Sequence, residues 1–225
     1  MKLVVPTEII DGENRVGITP DCVPPLLKMG FKVFVHSNAG VKASFTDEDY
    51  KKSGAKITSK LSELYSKANI VVKVQRPGKN KIDETKFLKN CSLITLLYES
   101  KFKNEFSLLK KLKINVFALE KMPRISRAQS MDVLSSQSNL SGYKAVIDAA
   151  SIFNKAFPLM MTSAGTVAPA KVLIIGAGVA GLQAIATAKR LGSVVSSFDV
   201  RASTKEQVES LGAKFIEVDS KKDSG

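Results

Sequence analysis

Lys171 to Arg201 reads KVLIIGAGVAGLQAIATAKRLGSVVSSFDVR. Val172 to Ile175 is an apolar, β-branched run, and Gly176, Gly178 and Gly181 follow it as G-x-G-x-x-G. Val179 to Leu191 is an Ala-rich helical segment stopped by Gly192, and Val194 to Phe198 is a second strand that ends in Asp199. Strand, tight turn, helix, strand and acid, in that order, are what a dinucleotide-binding unit requires. Gly176 permits the turn, Gly178 has no side chain to keep a pyrophosphate from the backbone, and Gly181 lets helix and strand pack closely. The helix start offers N–H groups and a positive dipole end to the phosphates. Asp199 stands where a carboxylate can accept from ribose hydroxyls and repel a 2′-phosphate, so the unit is expected to prefer NAD(H) over NADP(H). Two blander alternatives stand beside this one. A membrane span over Val172 to Ala188 falls short of the ~20 residues needed and opens on three glycines. A glycine turn that binds nothing is the other. Arg201 is ambiguous: it can meet a 2′-phosphate, or it can be a solvated residue at a helix start.

The 225 residues allow one large domain or two small ones, and the apolar content is that of a globular chain. MKLVVPTE is a charged start running straight into a strand, unlike a signal peptide. Two cysteines, Cys22 and Cys91, suggest a reducing compartment without a disulfide framework. His36 is the only histidine and lies in the strand-like run FKVFVH, which points to a structural role and to no metal site built from His and Cys. The net charge of +13 raises nucleic acid as a partner. The lysines are scattered over helix faces instead of interleaved with aromatics, so no nucleic-acid partner is expected, and attraction to an anionic membrane surface is the weaker alternative.

Along the chain, strands are expected at Lys2 to Pro6, Phe31 to His36, Lys56 to Thr58, Asn69 to Val74, Ser92 to Leu97 and Ile114 to Leu119. Helices are expected from Pro20 to Met29, from a capping box at Thr46 and Asp49 to Gly54, from Leu61 to Lys67 and from Asn104 to Lys113. This alternation means an α/β fold with largely parallel sheets. From about Asp132 the apolar residues take helical spacing, which gives a long connecting helix, and Thr162 to Pro169 reads as a small-residue linker. After the glycine-rich unit come a helix, Thr204 to Leu211, and a strand, Lys214 to Val218, fewer βα units than a doubly wound domain needs. The expected organisation is an N-terminal α/β subdomain over 1–135, a connecting helix over 136–161, and the opening section of a Rossmann-like subdomain over 162–225.

Met122 to Tyr143, MPRISRAQSMDVLSSQSNLSGY, is polar at its start and rich in Ser and Asn. With VPTEIIDGENRVGITP, GFKVFVHSNAG, PAKVLIIGAGVAGLQAIATAKRLG and FDVRASTKEQVESLGAKF, it resembles the soluble NAD(H)-binding domain of the alpha subunit of proton-translocating nicotinamide nucleotide transhydrogenases, in the alanine dehydrogenase/transhydrogenase family. The likeness runs over essentially the whole chain and about the first half of such a subunit. It implies NAD(H) bound here and NADP(H) on a partner domain, with direct hydride transfer between them. It also implies a membrane domain that couples transfer to proton translocation, pairing as homodimers, and a place on the cytoplasmic or mitochondrial-matrix face of the inner membrane.

By the same resemblance, the RISRAQSMD loop lies over the nicotinamide ring. Arg124, Asp132 and Ser135 would hold the carboxamide, and Gln129 would reach toward the partner's NADP(H). Nucleotide contacts would come from Arg124, Ile125, Ser126, Gln129, Ser130, Met131 and Asp132, and from Gly176, Gly178, Val179, Ala180, Gly181, Asp199, Val200 and Arg201. A carboxamide needs both donors and acceptors, which Arg, Gln, Ser and Asp supply. The plain alternative is that Ser130 or Asp132 merely caps the long helix. Alanine dehydrogenases share the fold and the Arg15 and Lys73 positions, and have a histidine where this chain has Tyr98. Oxidising an amine needs a base, whereas hydride exchange between two nicotinamides needs alignment. An amino-acid dehydrogenase and a non-catalytic NAD-binding module are the two competing functions. Arg15 and Lys73 would then be remnants of a substrate site, or they pair with carboxylates of their own domain.

Overall fold

The computed structural model describes residues 1–78 and 82–217. It divides into two compact units, Met1–Met131 and the chain from Asp132 onward. In the first unit strands and helices alternate as β1 (Lys2–Val5), α1 (Val23–Lys28), β2 (Lys32–His36), α2 (Asp47–Lys52), β3 (Lys56–Thr58), α3 (Leu61–Tyr65), β4 (Ile70–Gln75), β5 (Ser92–Leu96), α4 (Lys103–Lys111) and β6 (Asn115–Ala118). The six strands form one sheet in the order β3-β2-β1-β4-β5-β6. Every pairing is parallel. Side chains alternate across the sheet: Leu3, Val5, Val33 and Val35 enter one core with Val23 and Tyr50, while Val4, Val71 and Leu93 enter another with Leu64 and Leu109. Both faces are covered, as parallel sheets require. The capping box is present: Thr46 accepts from the Asp49 N–H, and Asp49 accepts from the Thr46 N–H.

The second unit begins with α5 (Val133–Ile152) and continues through β7 (Met160–Thr162), β8 (Gly165–Val167), β9 (Lys171–Ile175), α6 (Val179–Arg190), β10 (Val194–Phe198), α7 (Lys205–Ser210) and β11 (Lys214–Phe215). The stretch expected to be a linker at Thr162 to Pro169 instead forms half of an antiparallel hairpin, β7 with β8, turning through Ser163 and Ala164, with Gly165 opening β8 at φ +138°. The strand expected to reach Val218 stops at Phe215, and Val218 itself lies outside the described residues. β9, β10 and β11 form a parallel sheet in the order β11-β10-β9. One face packs on α6 and α7 through Ile185, Ala188, Val195 and Val208. On the other, Leu173 and Ile175 are exposed. The fold is therefore α/β, with two Rossmann-like parallel sheets. Among the described residues no helix is long and apolar enough to cross a membrane.

Candidate functional site

β9 ends at Ile175 and the chain turns through Gly176 at φ +100°, a backbone state that an L side chain rarely adopts. Two bonds tie the turn to the end of β10: the Gly176 N–H donates to the Phe198 carbonyl at 2.7 Å, and the Ala177 N–H donates to Asp199 Oδ2 at 2.6 Å. Gly178 is the N-cap of α6 and supplies no side-chain cap. A Cβ on it would meet nothing within 4 Å. A Cβ on Gly181, by contrast, would lie 1.8 Å from the Gly176 carbonyl oxygen, so only glycine lets α6 start this close to the strand. The first-turn N–H groups of α6 thus stay open beside an unobstructed approach, the arrangement that receives an anion.

Asp199 is not a lone carboxylate. Besides Ala177 it accepts from the Arg201 N–H at 2.9 Å, from Arg201 Nε at 3.0 Å and from Arg201 Nη2 at 3.1 Å. The Arg201 guanidinium, with those two backbone N–H groups, holds the carboxyl well below the usual carboxylate range. Val200 between them is exposed. A cavity of about 310 Å³ opens beside this pair, lined by Phe198, Asp199, Val200, Ala202, Phe215, Ile216 and Glu217. Phe215, Ile216 and Glu217 were not anticipated. The available signal was that Lys214 starts a strand parallel to β10, whose end shares the same crevice.

In the first unit, Ser126–Met131 winds into a 3-10 helix anchored by the buried Ala128. Arg124, Ile125, Ser126, Gln129, Ser130 and Met131 are exposed around it. In the second unit Asp132 is the N-cap of α5, as the plain alternative had it: Oδ1 accepts from the Ser135 N–H at 3.0 Å, and Ser135 Oγ donates to Oδ2 at 2.6 Å.

Residues 4–141 match the family description "Alanine dehydrogenase/PNT, N-terminal domain", and residues 145–224 match its C-terminal counterpart. The chain belongs to the alanine dehydrogenase/PNT family. Within it the chain is 54% identical to a protein of Rhodospirillum rubrum named as the first portion of the NAD(P) transhydrogenase alpha subunit, over 97% of this chain and 58% of that protein. It is 32% identical to an alanine dehydrogenase of Staphylococcus epidermidis, over 94% of this chain and 56% of that enzyme. A transhydrogenase structure from Sinorhizobium meliloti superposes with a TM-score of 0.93 at 44% identity, covering 98% of this chain and 62% of the other. The chain therefore spans about three fifths of the length of these relatives.

Arg15 and Lys73, singled out above by the resemblance to alanine dehydrogenases, are both ion-paired here. Lys73 Nζ, at 1% exposure, lies 2.6 Å from Glu84 Oε1 and 3.4 Å from Glu8 Oε2. Glu8 also accepts from the Val74 and Gln75 N–H groups at 2.7 and 3.3 Å, and burial pushes its pKa up. Arg15 donates through Nε and Nη2 to the two oxygens of Glu13 at 2.8 and 2.7 Å. The Arg15 N–H donates to Glu13 Oε1 at 2.9 Å, and Gln75 Nε2 donates to Oε2 at 2.8 Å. Glu13 is pulled down to about 2, first by Arg15. Tyr98 sits at φ +49° with its N–H on Glu120 Oε1 at 2.6 Å. His36 has the structural role expected of it, hydrogen-bonded to Thr7 Oγ1 at 2.7 Å and to the Ser59 carbonyl at 3.2 Å. Glu8, Glu13 and Glu84 were not singled out in the sequence, although pairing of Arg15 and Lys73 with carboxylates of their own domain was one of the two roles open to them.

Proposed function

We propose that this chain is the NAD(H)-binding part of a proton-translocating transhydrogenase, exchanging hydride with NADP(H) on a partner domain while a membrane domain couples that exchange to proton movement. The observation that carries the proposal is the uncapped start of α6 beside the open Gly178, with Asp199 at the end of β10. It occurs in a chain 54% identical to a protein named for a transhydrogenase alpha subunit. Gly176, Gly178, Val179, Ala180 and Gly181 would hold the pyrophosphate through backbone N–H groups. Asp199, kept ionised by Arg201, would accept from ribose hydroxyls and oppose a 2′-phosphate, which makes NAD(H) the nucleotide of this site. Val200 and the cavity beside it would take the adenosine end. By the resemblance, Arg124, Ile125, Ser126, Ser130 and Met131 would contact the nicotinamide; in the second unit the Ser135 hydroxyl donates to Asp132, which leaves its lone pairs free for a carboxamide N–H. When bound, the nicotinamide supplies or accepts the hydride. Gln129, exposed on its 3-10 turn, would set the alignment against the partner's ring.

The amino-acid dehydrogenase alternative asks for a cation to bind a substrate carboxylate and for a base to take a proton. Lys73 and Arg15 are already neutralised by their own glutamates, and Tyr98 replaces the histidine. Both features favour hydride exchange. Assembly as a homodimer is part of the same proposal and has its own support. The β7–β8 hairpin leaves Leu159, Met160, Met161 and Val167 exposed, and an isolated two-stranded hairpin is marginal in water without a partner. The proposed location is the face of an inner membrane, beside the membrane domain.

Gln129→Asn in the full-length chain, mixed with its NADP(H)-binding partner, tests the proposal. Stopped-flow hydride transfer is expected to fall about 100-fold, because small misplacements of the reacting atoms are that expensive. NADH affinity should fall far less. Native transfer by the variant would leave the loop a helix cap and nothing more, and alanine formed from pyruvate, ammonia and NADH would select the dehydrogenase.

A further inference from the structure

α5 has twenty residues and buries two of them, Gly142 and Val146. Gly142 lies against the first turn of α6. A Cβ built on it would stand 2.0 Å from the Ala180 carbonyl oxygen and 2.8 Å from the Ala180 carbonyl carbon. No side chain can move aside to make room, because the obstacle is backbone. One turn away Asn139 Nδ2 donates to Gln183 Oε1 at 3.1 Å across the same crossing. In that same first turn, Gly181 is pressed equally hard against the Gly176 carbonyl. The opening turn of α6 is thus held between α5 and the strand turn, with a glycine at each contact.

That turn is the one that carries the open N–H groups. The helix pressing on it, α5, begins ten residues earlier at the Asp132–Ser135 cap, about 15 Å along the axis. A continuous helix is a stiff spacer, so the depth of the Gly142 contact fixes how far the cap stands from the glycine turn. We propose that Gly142 is a positioning residue, which sets the separation between the nicotinamide-holding cap and the phosphate-holding turn so that one NAD(H) molecule spans both in the geometry for transfer. The proposal rests on the NAD(H) assignment made above. Any side chain at 142 would part the helices by roughly 1 Å or more before van der Waals contact was restored, and a misplacement of that size at the reacting ring costs about 100-fold in rate.

The test compares two ligands on the full-length protein. ADP reaches only the α6 end of the site, whereas NADH reaches both ends. In Gly142→Ala, ADP affinity should stay within about twofold of native, well under the weight of one hydrogen bond. NADH should lose the affinity it has beyond ADP, its bound fluorescence should shift toward that of free NADH, and hydride transfer should fall about 100-fold. Ser141→Ala, on the exposed neighbour, should match native in all four measurements. If Gly142→Ala does not fold, Asn139→Ala takes its place, with an expected loss of about two- to tenfold in transfer, the weight of one neutral hydrogen bond. Native transfer and fluorescence in whichever variant folds would overturn the proposal, even with a lowered melting temperature. Equal losses for ADP and NADH would overturn it too, since they would mean simple damage to the glycine turn. Native protein that binds neither ligand would instead remove the NAD(H) assignment.

Discussion

At the carboxyl end of β1 a glutamate fills the space beside the strand, and at the carboxyl end of β9 a glycine turn leaves it open. In the first unit the strand order β3-β2-β1-β4-β5-β6 reverses between β1 and β4, and a crevice at such a reversal is where α/β sheets take ligands. Glu8 occupies it: its carboxylate bonds the backbone of Val74 and Gln75 from β4 and meets Lys73, which also meets Glu84. In the second unit the corresponding turn carries no acid of its own. Asp199 reaches it from the neighbouring strand, paired with Arg201, and within the turn bonds the Ala177 N–H, while α6 starts without a side-chain cap. Two sheets of one design thus differ in whether the chain's own charges fill the strand ends or leave them open.

The largest effect that would break this contrast is expected in the filled crevice. Lys73→Met removes the cation between two buried carboxylates, and leaving such charges uncompensated costs about 3–5 kcal/mol. Urea unfolding at neutral pH, followed by a probe in the first unit, should show that loss, and a variant as stable as native would mean that the three groups are not interlocked. Next comes the open turn. Gly178→Val adds its side chain where nothing lies within 4 Å, in an extended backbone state that valine accepts, at φ −78° and ψ −170°. The melting temperature should stay where it is while NADH binding drops below detection in a fluorescence titration. Retained binding would show that phosphates do not approach there.

The smallest effect sharpens the contrast within the first unit, because Glu13 and Glu8 carry opposite signs. Glu13 is lowered from 4.5 to about 2 by Arg15, so its stabilisation is complete above pH 4.5 and is lost as pH falls toward 2. Glu8 is raised by burial, so its ionisation opposes folding, and acid relieves that opposition. Melting curves between about pH 5 and pH 2 should therefore fall less steeply in Glu13→Gln than in native protein. Parallel curves would mean that Arg15 does not hold Glu13 in solution.

The glycine turn was legible because it is local. Gly176 to Gly181 and the strand to Asp199 sit within one short window, and each residue type has a steric reason to be there. The long helix was legible from apolar spacing, and its cap from Asp132, although sequence alone could not choose between a cap and a ring contact. Arg201 was ambiguous for the same reason: only the folded chain shows its guanidinium turned back on Asp199. The β7–β8 hairpin escaped notice because its strands are three residues each and TSAGTVAP has the composition of a linker. Glu8 and Glu84 were illegible for a different reason. Glu8 lies in a loop, and nothing in its neighbourhood marks it as the partner of a strand far along the chain.

That separation has a kinetic side. The bond from Glu8 to Val74 joins residues 66 apart, so the chain must close a long loop before it can form, and closure entropy has to be met first. Until β1 and β4 pair, the carboxylate has no N–H groups to find and no reason to leave water. Contacts made after the folding barrier has been crossed leave the rate of assembly unchanged and slow the rate of opening. The buried Glu8–Lys73–Glu84 cluster is thus expected to act as a latch on the centre of the first sheet: Lys73→Met should speed unfolding and leave the refolding rate at its native value.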